Sequence, residues 1–151
     1  MNTLRISTDP GQLDLALVHR FLSEQSYWAQ GIPLEVVRTS LRHSLCFGGY
    51  LGERQVAFAR VITDYATFAN LSDVFVLREH RGHGYATALI TAVIAHPRLR
   101  GVRRFMLATS DAHGLYRSFG FTALVSPDTL MERYDPNPYL QAAPISKASN
   151  N

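Results

Sequence analysis

The chain has 151 residues, 46% of them hydrophobic and 18% charged, which is the composition of one soluble globular domain with a sizeable core. Its net charge of +3 comes from scattered arginines and its one cysteine has no partner, which argues against a nucleic-acid-binding stripe and excludes an intramolecular disulfide framework. No apolar run is long enough to cross a membrane and the first residues lack a signal-peptide core, so we expect a cytoplasmic protein with no membrane or nucleic-acid partner.

The first part of the chain predicts a short strand followed by two helices. Residues 4–6 alternate in polarity, which indicates a strand. Apolar residues recur at helical spacing from Leu13 to Leu22, so a first helix is expected to end near Ser23. Pro33 stands at a position typical of a helix start and opens a second helix with an apolar face.

A meander of three strands is expected next. Residues 45–51 and 55–63 are rich in residues that favour strands, and residues 52–54 supply the hairpin turn between them. A second short connection leads into a long strand over residues 67–77. Cys46 lies in the first of these apolar runs, so it is interpreted as a buried packing residue.

The second half of the chain alternates helices and strands. A helical pattern covers residues 83–95 and ends at a proline, and an apolar strand follows at residues 103–109. Ser110 or Asp111 is expected to cap a short helix that carries Tyr116.

The end of the chain predicts two further strands and a tail. Residues 121–125 and 130–134 are candidate strands. A single domain is expected over residues 1–140, and the polar end at residues 141–151 is expected to be a flexible tail. This order of elements predicts an α/β fold in which a mixed, mostly antiparallel sheet is flanked by helices.

Two glycines separate the long strand from the helix after it, in the stretch Arg81-Gly82-His83-Gly84-Tyr85-Ala86. A helix N-terminus leaves unpaired N–H groups and carries the positive end of the helix dipole, so this position suits an anion such as a phosphate. Glycines let a ligand approach the backbone closely, and Arg81 can add a charge-assisted contact. The spacing fits neither a Walker loop nor a dinucleotide fingerprint, and an ordinary surface turn remains the alternative.

Two segments together resemble one known family. The stretch Asp73-Val74-Phe75-Val76-Leu77-Arg78-Glu79-His80-Arg81-Gly82-His83-Gly84-Tyr85-Ala86 is similar to the central motif of the GCN5-related N-acetyltransferase (GNAT) family, with its acyl-CoA pyrophosphate loop. The stretch Ala112-His113-Gly114-Leu115-Tyr116-Arg117-Ser118-Phe119-Gly120-Phe121 is similar to that family's second signature. The resemblance extends over residues 3–134. It implies a GNAT-like sheet whose central strands, at residues 67–77 and 103–109, splay apart where the acyl chain enters.

The resemblance implies acetyl-CoA as the co-substrate, and we expect no metal site. It assigns cofactor binding to Phe75, Val76, Arg81, Gly82, His83, Gly84, Tyr85, Ala86, Thr109 and Tyr116. Thr109 stands where the family usually carries an asparagine that contacts the pantetheine arm, so this contact would be made by a shorter side chain.

Acetyl transfer from a thioester to an amine requires proton transfer at two points. Asp73 is the first candidate for the base or relay, and its alternative role is to cap its strand or to pair with an arginine; Glu24 and Asp64 are weaker candidates. Tyr116 is the candidate acid for the departing thiolate because a phenol keeps its proton at pH 7, and its alternative is a core tyrosine with a surface hydroxyl. The resemblance also implies that a backbone N–H near Val76 stabilises the acetyl oxygen.

The connection after the first helix, from which related acetyltransferases build the acceptor site, holds Tyr27 and Trp28. These two residues and Asp64 are the candidates for substrate contacts, although an aromatic pair can also anchor a loop to the core. The function expected is acetyl-CoA-dependent N-acetylation of a small-molecule amine by direct transfer. A non-catalytic acyl-CoA-binding sensor and a protein or peptide N-acetyltransferase remain alternatives, and the sequence leaves the acceptor, the acyl-chain preference and homodimerisation open.

Overall fold

The computed structural model describes residues 3–139, so the predicted tail at residues 141–151 lies outside the described part of the chain. One sheet contains the strands β1 (Arg5–Ser7), β2 (Leu45–Leu51), β3 (Arg54–Thr63), β4 (Phe68–Val76) and β5 (Arg104–Leu107). The helices are α1 (Leu15–Arg20), α2 (Leu34–Arg42), α3 (Tyr85–Ala95) and α4 (His113–Arg117). A π-helical turn at Phe21–Gln25 continues α1, and 3-10 turns lie at Pro10–Gln12, Arg78–His80, Pro97–Leu99 and Pro127–Thr129.

Each strand of the sheet lies beside the next strand along the chain. β1 to β4 are antiparallel neighbours, and β5 runs parallel to β4 after the crossover through α3. Gly52, with a φ of 59°, permits the tight turn that joins β2 to β3 at the predicted place. The sheet confirms the predicted fold class, which is mixed, mostly antiparallel and flanked by helices.

Helices cover the sheet and bury its apolar side chains. α1 packs on α2, and α3 packs on β2, β3 and β4. Phe58 and Val61 of β3 and Leu89 and Val93 of α3 are fully buried in one core cluster. Burial of a side chain of this size contributes roughly 1.5–3 kcal/mol to folding, so the predicted apolar face of α3 holds this helix on the sheet.

The two central strands diverge, as the predicted fold class requires. β4 continues to Val76, but it pairs with β5 only over Phe68–Leu71. β5 ends at Leu107, opposite Leu71, so the last part of β4 has no β5 residue beside it. The gap that opens there is the entrance to the cleft described below.

The prediction of two last strands is wrong. Residues 121–125 and 130–134 pair with no strand of the described structure, and the turn at Pro127–Thr129 lies between them. Val125 and Met131 are 96% and 97% exposed, so their apolar character does not reflect burial. A strand forms only where a neighbour completes its hydrogen-bond ladder, and Pro127 removes one donor from this segment.

Two helix ends also differ from the predictions. Regular α-helix ends at Arg20, because the N–H of Ser26 donates to the carbonyl of Phe21, five residues back, at 3.0 Å. The residue at the N-cap of the short helix α4 is Ala112, and no side chain caps this helix. The prediction of a cap by Ser110 or Asp111 is therefore wrong.

Within residues 3–139, none of the helices combines the length and the apolar character that a membrane crossing requires.

Candidate active site

A cleft of about 1070 Å³ opens where β4 and β5 separate. Its walls come from the π-helical turn after α1, from α2, β3 and β4, from the start of α3 and from the loop before α4. The cleft brings together most of the residues that the sequence analysis singled out, namely Tyr27, Trp28, Asp73, Phe75, Val76, Arg81, Gly82, Gly84, Tyr85, Ala86, Thr109 and Tyr116. His83 is exposed and does not line the cleft, and its ring lies 5.6 Å from that of Tyr85.

One end of the cleft is the glycine loop at the start of α3. Gly82 and Gly84 have φ values of 82° and 78°, and a Cβ added at either position would meet nothing within 4 Å. The helix begins with the bond from the N–H of Ala88 to the carbonyl of Gly84, and the N–H groups of Gly82, Gly84 and Ala86 make no hydrogen bond to a described residue. These open donors at the positive end of a helix of 11 residues form a suitable site for a phosphate.

Arg81 does not project freely from the loop. Its Nε donates to the carbonyl oxygen of Val76 at 3.0 Å, which ties the loop to the end of β4. The guanidinium group keeps its Nη donors, which make no hydrogen bond to a described residue. Arg81 therefore positions the loop and also remains available to an anion.

The middle of the cleft contains a β-bulge in β4. Phe58 and Arg60 of β3 face Phe75 and Ser72, so β4 has one residue more than β3 in this interval. Asp73 lies in the bulge with a φ of 55°, a left-handed conformation that aspartate tolerates better than most residues.

The bulge is followed by a backbone N–H that faces the cleft. The N–H of Leu77 donates to the carbonyl of Val56 at 2.9 Å. Since antiparallel pairing alternates along a strand, Val76 directs its own N–H and C=O away from β3 and toward the side where β5 has ended. This is the backbone group that the sequence analysis singled out for the acetyl oxygen.

The carboxylate of Asp73 is held by two donors. Its Oδ2 accepts from Nε of Arg60 at 2.8 Å, and its Oδ1 accepts from Nε1 of Trp28 at 2.8 Å. The side chains of Arg60 and Asp73 are only 15% and 10% exposed, so water screens their attraction weakly. Asp73 thus pairs with an arginine, as one of its two predicted roles required, and it also lines the cleft.

The aromatic pair Tyr27 and Trp28 joins two walls of the cleft. The rings meet edge to face with centroids 4.9 Å apart. The Tyr27 hydroxyl accepts from the N–H of Ser110 at 3.3 Å, while Trp28 reaches Asp73 on β4. Both residues therefore lie where they can contact an acceptor, and they also anchor their loop.

Tyr116 lies in α4 and is 7% exposed, with its ring edge to face against Phe121 at 6.0 Å. Burial raises the pKa of the Tyr116 phenol, and the negative charge of the Asp111 carboxylate adds to the rise. The hydroxyl makes no hydrogen bond to a described residue and stays protonated at neutral pH. Among the described groups of the cleft, it is therefore a neutral proton donor.

Thr109 serves the backbone of its own loop. Its hydroxyl oxygen accepts from the N–H groups of Asp111 and Ala112 at 3.4 Å and 3.0 Å. This bond to Ala112 takes the place of the cap that the sequence analysis expected from Ser110 or Asp111.

Two predicted candidates do not belong to the cleft. Asp64 closes the turn between β3 and β4, where its carboxylate accepts from the Thr67 hydroxyl and from the N–H groups of Ala66, Thr67 and Phe68. These hydrogen bonds, led by that of the Thr67 hydroxyl, hold the pKa of Asp64 well below its usual range. Glu24 is exposed on the π-helical turn and also lies outside the cleft lining.

Arg60 and Tyr139 are among the cleft residues that the sequence analysis missed. Arg60 interrupts the buried run of β3, and a lone arginine inside an apolar strand was the signal that could have revealed it. Tyr139 belongs to the segment after α4, packs beside Gly31 and lines the cleft together with Trp28. Burial raises the pKa of Tyr139, and Asp73 and Arg60 are near enough to act on it as well. Nothing in the local sequence around Tyr139 indicates this position.

Comparison with known proteins gives a consistent result. The model of the acetyltransferase (GNAT) family matches residues 15–121. A protein of Gibberella zeae that bears the name acetyltransferase FG08082 is 32% identical in an alignment 133 positions long, and the match covers 74% of each chain.

Solved structures show the same architecture. A protein of Xanthomonas campestris pv. campestris, described as belonging to the GNAT family, superposes with a TM-score of 0.90 at 60% identity, and the match covers 92% of this chain and 98% of that one. An acetyltransferase of Clostridium acetobutylicum, solved with acetyl-CoA, superposes with a TM-score of 0.63 over 89% of this chain and 96% of its own. At 17% identity, this second likeness concerns the fold alone.

Proposed function

Because this chain belongs to the acetyltransferase (GNAT) family, whose members use acyl-CoA, we propose that it transfers the acetyl group of acetyl-CoA directly to the amine of a small molecule. One observation carries this proposal. A single cleft joins the glycine loop, the phenol of Tyr116 and the carboxylate of Asp73. A donor thioester and an acceptor amine can therefore meet in one place without a covalent enzyme intermediate.

The described residues fit an acyl-CoA. Open N–H groups of Gly82, Gly84 and Ala86 suit the pyrophosphate, and no side chain occupies the space around the two glycines. Phe75 and Val76 line the next part of the cleft, where the N–H of Val76 is directed toward a donor's carbonyl oxygen. Bound acetyl-CoA supplies the thioester, and these groups of the chain hold and orient it.

The acceptor amine must lose a proton before it attacks. An amine with a pKa near 10.4 is neutral in about one molecule in 10³ at pH 7, so forming the neutral amine costs roughly 4–5 kcal/mol. Asp73 lies in the cleft and is the group that we assign to receive this proton, directly or through water. Tyr116 keeps its own proton at neutral pH and is the group that we assign to protonate the leaving thiolate.

The shape of the acceptor end favours a small molecule over a protein. Tyr139 packs beside Gly31 and lines the cleft together with Trp28, so large aromatic side chains take up part of the end that we assign to the acceptor. A non-catalytic sensor would need neither a proton acceptor nor a proton donor in its cleft. The proposal includes a cytoplasmic location and no nucleic-acid or membrane partner, and it leaves homodimerisation to a measurement of mass in solution.

The test is release of CoA thiol from acetyl-CoA by the purified chain with a panel of amines, amino acids, polyamines and one peptide with a free N-terminus. We expect turnover with at least one small acceptor and a product heavier by one acetyl group. Saturable CoA binding without turnover of any acceptor would favour the sensor. A kcat/KM higher for the peptide than for every small acceptor would favour the peptide enzyme.

A further inference from the structure

Arg60 places a buried cation in the acceptor part of the cleft. It lies on β3, one strand away from the gap, and its side chain is 15% exposed. The guanidinium is fixed at two points, because Nε donates to Asp73 at 2.8 Å and Nη1 donates to the Ser44 hydroxyl at 3.1 Å. Arg60 is thus held rigidly with one side toward the cleft.

The hydrogen-bonding capacity of Arg60 is only partly used. A guanidinium has five N–H donors, and two of them are used by Asp73 and Ser44, which leaves three. Within residues 3–139, neither Nη2 nor the second Nη1 donor makes a hydrogen bond. Unused charged donors that line a cleft are available to an anion, and a planar carboxylate is the partner that satisfies two of them at once.

The carboxylate of Asp73 already accepts hydrogen bonds from two donors, Arg60 and Trp28. The Arg60–Asp73 pair is neutral as a whole, and it presents a cationic and an anionic group as hydrogen-bonded neighbours. An α-amino acid is complementary to this pair. Its carboxylate can face the cation and its amine can face the anion, because both groups are attached to one carbon. A carboxylate on Arg60 would therefore bring the amine beside Asp73.

We propose that Arg60 binds the carboxylate of the acceptor, and that the acceptor is an α-amino acid rather than a simple amine. This inference rests on the proposed function and names the substrate class of the same cleft. Phe21, Trp28, Val36 and Tyr139 also line this part of the cleft, so the side chain of the amino acid is apolar or aromatic. A doubly charged phosphate would meet the carboxylate of Asp73, so a monoanionic carboxylate fits better.

The test compares three acceptors for each α-amino acid, namely the acid, its amide and its decarboxylated amine, beginning with phenylalanine, phenylalaninamide and 2-phenylethylamine. The amide controls for basicity. Its amine is less basic than that of the acid, so a larger fraction of it is neutral at a given pH, and a preference for the acid cannot come from the supply of neutral amine. We expect kcat/KM for the acid to exceed that of both partners by roughly tenfold or more, since a charge-assisted pair is worth about 1.5–3 kcal/mol.

Arg60→Gln provides the second arm. It should lower kcat/KM for the acid by roughly 10- to 100-fold more than for the amide and the amine, because all three acceptors share whatever loss follows from removing the Arg60 partner of Asp73. Arg60→Lys should restore part of the preference for the acid. Arg38→Gln is the matched control, because the pair that Arg38 forms with Glu35 is exposed on α2, and no effect on any acceptor is expected.

Three outcomes separate this inference from the proposed function. An amide used as well as its acid, or an equal loss for all three acceptors in Arg60→Gln, would overturn the carboxylate site and leave acetyl transfer intact. Absence of thiol release with every acceptor would contradict the proposed function. Calorimetry with phenylalanine would then decide the carboxylate site alone: weaker binding to Arg60→Gln than to wild type supports it, and equal or absent binding overturns it.

Discussion

Asp73 and Tyr116 reach the same cleft from β4 and α4, and their surroundings differ in kind. Asp73 is held by the charged donor Arg60 and the neutral donor Trp28, which keep its carboxylate oriented. Tyr116 is packed among apolar side chains, where burial favours its uncharged form. The carboxylate of Asp73 is therefore fixed in orientation, and the phenol of Tyr116 keeps the proton that we assign it to give.

Tyr116→Phe removes one hydroxyl and keeps the ring. If thiolate departure limits the rate, kcat should fall by roughly 10²- to 10⁴-fold, and CoA affinity should change little. Because burial raises the pKa of Tyr116 above its ordinary value of 10.0, wild-type kcat should not decline through its ionisation between pH 7 and pH 9. A Phe variant with wild-type kcat, under conditions where chemistry is rate-limiting, would remove Tyr116 from the mechanism.

Asp73→Asn tests the proton acceptor. We expect kcat/KM to fall most at pH values below the pKa of the acceptor amine, and the deficit to shrink as pH rises and the free amine becomes abundant. Calorimetry with CoA should show unchanged affinity, because the glycine loop is intact. A deficit of the same size at every pH would assign Asp73 to the positioning of Arg60 and Trp28 instead.

For single residues, the sequence was informative where the proposed function depends on a short contiguous segment. The glycine loop and Tyr116 lie in the two short segments that carry the family resemblance, and that resemblance indicates their place. Arg60 meets Asp73 from 13 residues away across β3 and β4, and Trp28 meets it from 45 residues away. Such contacts depend on strand register and on the bulge, which local patterns do not specify.

At the scale of elements, the left-handed glycines offer a controlled experiment on the anion site. Gly84 ends the loop at the start of α3, and Gly52 lies in the β2–β3 hairpin. Both have positive φ values, 78° and 59°, and a side chain at either would meet nothing within 4 Å. The two positions therefore impose similar backbone strain, but only one of them faces the cleft.

Gly84→Asp should weaken CoA binding by at least tenfold, since it brings a negative charge to the proposed phosphate site, where one charge-assisted contact is worth about 1.5–3 kcal/mol. Gly52→Asp should lower thermal stability by a similar amount and leave CoA affinity unchanged. Calorimetry and thermal unfolding on both variants separate the two effects. Equal CoA affinity in a folded Gly84→Asp variant would contradict the assignment of the loop.

Elements were predicted well where burial and turn chemistry agreed. The β2–β3 hairpin and the core face of α3 satisfy both criteria. The runs at residues 121–125 and 130–134 had strand-like composition, yet no neighbouring strand in the described structure completes their ladder. The π-helical turn after α1 was also unexpected, because its apolar spacing resembles that of a regular helix.

At the scale of the whole molecule, a buried thiol in the core near Arg60 and Asp73 makes stability depend on pH. Cys46 is buried, as predicted, and burial raises the pKa of its thiol from 9.0 to about 11, with Arg60 opposing and Asp73 adding to the rise. An unfolded chain loses this proton above pH 9.0, while the folded chain keeps it until about pH 11.

The free energy of unfolding should therefore decrease as pH rises from 9.0 to about 11, by at most about 1.4 kcal/mol per pH unit from this group. Urea unfolding at several pH values measures the slope. Cys46→Ala should have a shallower slope over the same interval, although buried tyrosines contribute further loss above pH 10 in both proteins. Identical slopes would show that the thiol does not titrate differently in the two states.

Because of the bulge in β4, the deletion or insertion of a residue near Asp73 would alter the cleft, as a substitution there would. Removal of one residue at Asp73 would restore regular pairing with β3, with Phe75 still opposite Phe58, and would abolish the bulge that places the Asp73 carboxylate in the cleft. Natural chains that preserve this cleft should therefore align across residues 72–76 without a gap. The exposed segment after Phe121 should accept changes in length, because no strand pairing there fixes its register.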